Sequence, residues 1–130
     1  MKLKKILLSS VVMLGIFSCT ASFAATAEFS GYLPLNNGNM YTSTRTKSTN
    51  QKVGSVKATS LPSSGINVWI QTGKDSAAFR ATDIASVKTK EITYKLNYSG
   101  YYNSGRSVYG GIENKGTGLF KYAAGTIDFK

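Results

Sequence analysis

Glu91-Ile92-Thr93-Tyr94-Lys95-Leu96-Asn97-Tyr98 alternates polar and apolar residues without a break. Successive side chains on a β-strand point to opposite faces, so Ile92, Tyr94, Leu96 and Tyr98 share one face while Glu91, Thr93, Lys95 and Asn97 share the other. The first face is expected to be core and the second to be wet, so the stretch reads as a half-buried strand whose apolar face belongs to the core.

The same period recurs on both sides of it. Ile66-Asn67-Val68-Trp69-Ile70-Gln71 places Ile66, Val68 and Ile70 inward, against the core face of the first strand, and sends Trp69 outward. Arg106 to Asn114 sets Val108, Gly110 and Ile112 on one face and Tyr109 on the other, with Gly110-Gly111 suggesting a bulge or a close backbone approach. Leu119 to Lys130 closes the chain with Ala123, Gly125, Ile127 and Phe129 in alternation, which predicts a final segment tied into a sheet. Toward the start, Glu28 to Pro34 reads as a strand whose proline, lacking an amide donor, belongs at an edge or strand end. Met40 to Lys47 is a Thr-rich peripheral strand with Tyr41, Ser43, Arg45 and Lys47 on one face. Lys52 to Ser60 turns Val56 and Ala58 inward. Ala77 to Val87, with Phe79, Ala81 and Ile84, reads as strand, although its alanines also allow a short helical turn.

Turn signals separate these runs: Asn36 to Asn39, Ser48 to Asn50, Leu61 to Gly65, Gly73 to Asp75, Ser99 to Gly105 and Lys115 to Gly118. Seven to eight short strands, turns every 8 to 15 residues and no amphipathic helix predict an all-β antiparallel β-sandwich.

Met1 to Ala24 carries Lys2, Lys4 and Lys5, an apolar run from Ile6 to Phe17, and Ser22-Phe23-Ala24, the pattern of an export signal cleaved after Ala24. Cys19, after Ile16-Phe17-Ser18, supplies a minor alternative, a lipid-modified cysteine. Cleavage after Ala24 leaves 130 − 24 = 106 residues without cysteine, one domain at 25–130 held by packing and not by disulfides. Three of the 16 Lys and Arg lie in the signal, so 13 cations against six acids leave the mature chain at about +7. Such a chain is expected to be secreted and attracted to an anionic cell-wall polymer, glycan or membrane surface, with no specific nucleic acid.

The chain has no histidine. With the single cysteine removed, the commonest general base, the thiol nucleophile and the soft metal ligands are missing. Glu28, Asp75, Asp83, Glu91, Glu113 and Asp128 are scattered over turns and outer faces, and no Asp-x-Asp spacing suggests calcium. No enzyme activity, metal or cofactor is expected. What remains is a binding surface: Trp69, and Tyr101, Tyr102 and Tyr109 flanking Arg106 around a glycine-bracketed loop, aromatic planes beside a cation that could stack sugars or headgroups. Arg45, Lys47, Lys52, Lys88, Lys90 and Lys95 read as a solvated basic face that guards sheet edges.

With the signal, Tyr41 to Lys47, Ile66 to Gln71, Tyr94 to Tyr98 and Ile112-Glu113-Asn114 in view, the chain resembles small exported Gram-positive bacterial proteins of a family without assigned function. The resemblance implies a secreted, compact β-sandwich and brings no catalytic residues with it. The function expected is that of a non-enzymatic binding or structural protein on anionic or glycan components of the cell envelope. The alternative is a secreted antimicrobial or toxin-like protein acting on neighbouring membranes.

Overall fold

The computed structural model describes residues 25–34, 38–73, 79–116 and 121–130. The export signal, Cys19 and Asp75 lie outside them. Among the described residues there are nine strands and no helix: β1 (Thr26–Leu33), β2 (Asn39–Tyr41), β3 (Arg45–Thr46), β4 (Val53–Ser60), β5 (Ile66–Gln71), β6 (Ala85–Val87), β7 (Thr93–Asn97), β8 (Ser107–Asn114) and β9 (Lys121–Asp128). They form two antiparallel sheets. Sheet I has the order β1-β9-β4-β7, and sheet II the order β2-β8-β5-β6, with β3 also pairing β8. This is the expected antiparallel sandwich. Its ninth strand arises because the Thr-rich run is not continuous: Thr42 is buried, exchanges bonds with Gly110 through its amide and hydroxyl, and splits the run into β2 and β3 along one flank of β8.

One apolar cluster fills the space between the sheets. Ile66, Val68 and Ile70 of β5 join Val108 and Ile112 of β8, Ala27 and Phe29 of β1, Val56 and Ala58 of β4, and Ala123, Ile127 and Phe129 of the final run. Each of these positions is the inward half of an alternation, so the period-2 pattern and the burial agree. The final run is tied in more strongly than the pattern alone required: β9 is flanked by β1 and β4 along its length, and the Phe129 amide donates to Ala25 O at 2.8 Å.

The Glu91 to Tyr98 stretch is placed differently. β7 is an edge strand of sheet I, pairing only β4 within that sheet, and it enters the core only toward its C-terminal end. Leu96 and Tyr98 are buried and Tyr94 half-buried, but Ile92 is 51% exposed. The cause is local. Glu91 adopts φ 63°, a left-handed turn conformation, and donates its amide to Ala58 O, so the ladder begins only at Thr93 and Ile92 is carried past the rim.

Lys47 also departs from the expected basic face, being 1% exposed. Its ammonium donates to Thr49 O at 2.9 Å, Gln51 O at 2.8 Å and Lys130 O, and it stands 4.7 Å from the centroid of the Tyr98 ring. Its three donors meet three backbone oxygens, those of Thr49, Gln51 and Lys130. Burial holds this ammonium below the ordinary lysine value, with Asp128 pulling the other way. The Tyr98 hydroxyl donates to Phe129 O at 2.8 Å, and burial, then Asp128, pushes the phenol well above its ordinary value of 10.0.

That shift predicts a pH dependence. The unfolded chain releases the Tyr98 proton near pH 10 while the folded chain keeps it, so this group's contribution is complete below pH 10 and declines above it by about 1.4 kcal/mol per pH unit. Tyr98→Phe should cost about 1 kcal/mol at pH 7, the net worth of the hydroxyl's bond to Phe129 O. In urea titrations at pH 7 to 11 the gap between wild type and variant should close above pH 10. A gap constant to pH 11 would show that the phenol is not held protonated by the fold.

Candidate functional site

The five aromatic and cationic residues singled out from the sequence do not form one cluster. They divide among an end of the sandwich, the core margin and the outer face of sheet II.

At the end of the sandwich, the loop after β7 is pinned at several points. The amide of Ser99 donates to Ala81 O, that of Ser104 to Asn50 Oδ1 at 2.7 Å, and that of Gly105, at φ 86°, to Lys47 O. Within this loop Tyr101 takes φ 58°, a conformation costly for an aromatic residue, of order 1–3 kcal/mol. The ring it presents stacks on Phe79, with centroids 5.9 Å apart and planes at 24°, and the Arg106 guanidinium lies 5.0 Å from the Tyr101 centroid. Phe79 is 61% and Tyr101 38% exposed. Of the three tyrosines set around Arg106 from the sequence, Tyr101 is the one whose ring the guanidinium meets. Phe79 went unrecognised as their partner because it comes from the connection between β5 and β6, far away in sequence, held there by Thr72, whose amide donates to Phe79 O.

Tyr102 belongs elsewhere. It is half-buried against the core cluster, with Lys52 Nζ 4.8 Å from its ring centroid. It is a packing residue, so Tyr102→Ala should lower the melting temperature while changes at Tyr101 should not.

Trp69 points away from Val68 and Ile70, as expected, yet is only 8% exposed. The reason is Gly111, its direct partner across β5 and β8. A Cβ on Gly111 would lie 2.4 Å from the indole Cε2, so the missing side chain is what lets the ring settle onto the sheet. Of the bulge or close backbone approach expected at Gly110-Gly111, the bulge does not occur, since β5 and β8 pair in unbroken register from Ile66 to Gln71, and what approaches closely is side chain: Gly111 makes room for Trp69 and Gly110 for Ile127. The indole Nε1 donates to Gln71 Oε1 at 2.6 Å. Tyr109 stands opposite Gln71 on the same outer face, half-buried.

Around Trp69 the outer face of sheet II forms a concavity of about 270 Å³. Trp69 and Ile84 give it apolar surface; Tyr41, Asn39, Gln71, Arg80 and Glu113 give it polar groups. Cross-strand register assembles it: Tyr41 and Trp69 both face Gly111, Asn39 and Asn67 both face Glu113, and Arg80 bridges to Gln71. Glu113 accepts from Asn67 Nδ2 at 3.0 Å through Oε1, and Asn39 Nδ2 donates to the Tyr41 hydroxyl at 3.2 Å. The ion pairs among the described residues are Lys57–Glu91 and Lys130–Asp128, so Arg80 and Glu113 share this concavity without pairing. No family model, curated protein or solved structure matches the chain.

Proposed function

We propose that the protein is a secreted, non-enzymatic binding module that docks on anionic or glycan components of the bacterial cell envelope through the Phe79–Tyr101–Arg106 end of the sandwich. The observation that carries this reading is the exposed Phe79–Tyr101 stack under the Arg106 guanidinium, built on a tyrosine backbone conformation that folding alone would avoid. Strain kept at an exposed aromatic residue is the pattern expected where presentation of the ring matters more than stability. Planar rings beside a fixed cation suit a polymer that offers both ring faces and negative charge, and the mature chain's charge of about +7, 13 cations against six acids, draws such a polymer in.

A non-catalytic role fits the carboxylates. Asp83 accepts from the amide and side chain of Asn97, Glu91 faces Lys57, Glu113 holds Asn67 and Asp128 faces Lys130, so these acids are engaged in structure.

Cosedimentation with purified Gram-positive cell walls tests the reading. Tyr101→Gly should weaken retention about tenfold, the loss of one stacked aromatic contact of ~1.4 kcal/mol, without lowering the melting temperature, because glycine relieves the positive φ. Retention should fall further as salt is raised, since the exposed charges are screened over a Debye length of ~10 Å at 0.1 M. Wall binding that is absent at low ionic strength, or indifferent to Tyr101→Gly, overturns the proposal; leakage of anionic liposomes in its place would point to a membrane-active protein.

A further inference from the structure

We infer that the concavity over Trp69 is a second binding site, separate from the aromatic end, and that it takes a single neutral pyranose ring with vicinal hydroxyls. Three features of the cleft point to this ligand class. The first is charge. Arg80 and Glu113 line one small space, carry opposite charges and do not pair with each other. Left open, the guanidinium offers a planar fork of donors and the carboxylate Oε2 an acceptor, the combination that adjacent hydroxyls satisfy, since each hydroxyl both donates and accepts. A site containing one cation and one anion has no net preference for a charged ligand, which separates it from the exposed Arg106 end.

The second feature is the surface between those charges. Trp69 and Ile84 supply apolar surface and the Tyr41 ring a further face, matching the C–H face of a sugar ring, while the exposed Asn39 adds a planar amide; the Gln71 amide is buried and spent on Trp69 Nε1 and Gly73 O, so it holds the indole and does not meet the ligand. The third is size. About 270 Å³ lies below the roughly 300–1,000 Å³ of pockets for drug-sized ligands, so the cleft accepts one ring and leaves its neighbours outside. Rigidity supports the same conclusion. The indole is fixed by Gly111 beneath it and by Gln71, and Glu113 is fixed by Asn67, so little side-chain ordering remains to oppose binding.

The other concavity that Arg80 borders, about 470 Å³ on Thr82, Asp83, Asn97, Tyr98 and Ser99, lacks this character, because both oxygens of Asp83 are taken by Asn97.

Trp69 is the chain's only tryptophan, so intrinsic fluorescence reports on this cleft directly. The full chain would be titrated with methyl glucoside, N-acetylglucosamine and glucuronate, each to about 50 mM, a range that captures the millimolar affinity of a one-ring site. A saturable change in emission with at least one neutral sugar is expected, weakened at least tenfold in both Arg80→Ala and Glu113→Gln and unaffected by 0.5 M salt. Tyr101→Gly, in the other site, should leave it unchanged, so loss of wall docking and loss of sugar binding are read separately. Melting temperatures of the two cleft variants, compared with wild type, show that the fold is intact; where Arg80→Ala lowers it, Arg80→Lys, which keeps charge but loses the fork, takes its place. No saturable response to either neutral sugar overturns the inference. So does a response confined to glucuronate and abolished by salt, which would mark Arg80 as a simple anion contact.

Discussion

Replacing Lys47 with methionine should lower the stability of the fold by about 3–4 kcal/mol, close to the cost of removing one partner from a buried charged network. Methionine matches the length of the stem and can occupy the same space, so packing is largely kept and the loss isolates the ammonium. What disappears is the group that satisfies Thr49 O, Gln51 O and Lys130 O together. Those carbonyls belong to the connection after β3 and to the final segment after β9, which have no ladder between them. The ammonium is their shared donor, and it closes this end of the sandwich where backbone pairing stops. The competing expectation is that a buried cation already penalised by desolvation is better replaced by an apolar residue, as some buried ion pairs are. Here three part-buried backbone oxygens would lose their shared donor at once, which is why the balance favours lysine. Urea unfolding at pH 7 decides it: a midpoint equal to or above that of wild type would show that the carbonyls find water instead. Lys47→Arg should not restore stability, because a planar fork cannot reproduce three converging bonds from one nitrogen.

Lys47 also shows where the sequence could not be read. Alternation identified the inward residues of β4, β5, β8 and β9, because burial on one face of a strand leaves a mark at every second position. It could not identify which strands lie at the centre. β7 has the cleanest alternation in the chain and sits at an edge, where one wet face and one dry face are easiest to maintain. β9 lies between β1 and β4, and its pattern, Ala123, Gly125 and Ile127, looks weaker because a crowded position selects small residues. A lone lysine beside Thr-rich sequence carries no mark of burial, since the carbonyls that hold it are backbone atoms and leave no trace in side-chain identity.

The binding surfaces were partly readable for the same reason. Tyr101 and Arg106 are near each other along the chain and their association was visible; Phe79 is not. The Trp69 cleft is made from β2, β5 and β8 and the segment before β6, and its members meet only through register. One signal for it does lie in the sequence: a tryptophan on the outer half of β5 needs a neighbour small enough to lie under it, and Gly111 is that neighbour.

Gly125→Ala should be nearly as damaging as Lys47→Met, costing about 3 kcal/mol, the upper end of what overpacking a core usually costs. The reason is the identity of the atoms in the way. At Gly110 an added Cβ meets chiefly the tip of Ile127, which can rotate; at Gly125 it would lie 2.4 Å from Lys57 O and 2.8 Å from both Ala58 Cα and Phe29 Cζ. Two of those atoms are backbone of β4. Moving them means opening the ladder between β4 and β9 beside its register shift between Ala58 and Ser60, in the middle of sheet I. β1 pairs with β9 at the same residue, Phe29 opposite Gly125, so the strand cannot shift toward the other side either. In a domain of this size 3 kcal/mol corresponds to a fall in melting temperature of roughly 12–24 °C. Gly100→Ala is the control, because its Cβ would meet nothing within 4 Å, and it should melt within a degree or two of wild type. Equal melting temperatures for the two variants would mean that β4 and β9 can separate at Gly125 without loss, and that the tight centre of sheet I is not what holds the sandwich together.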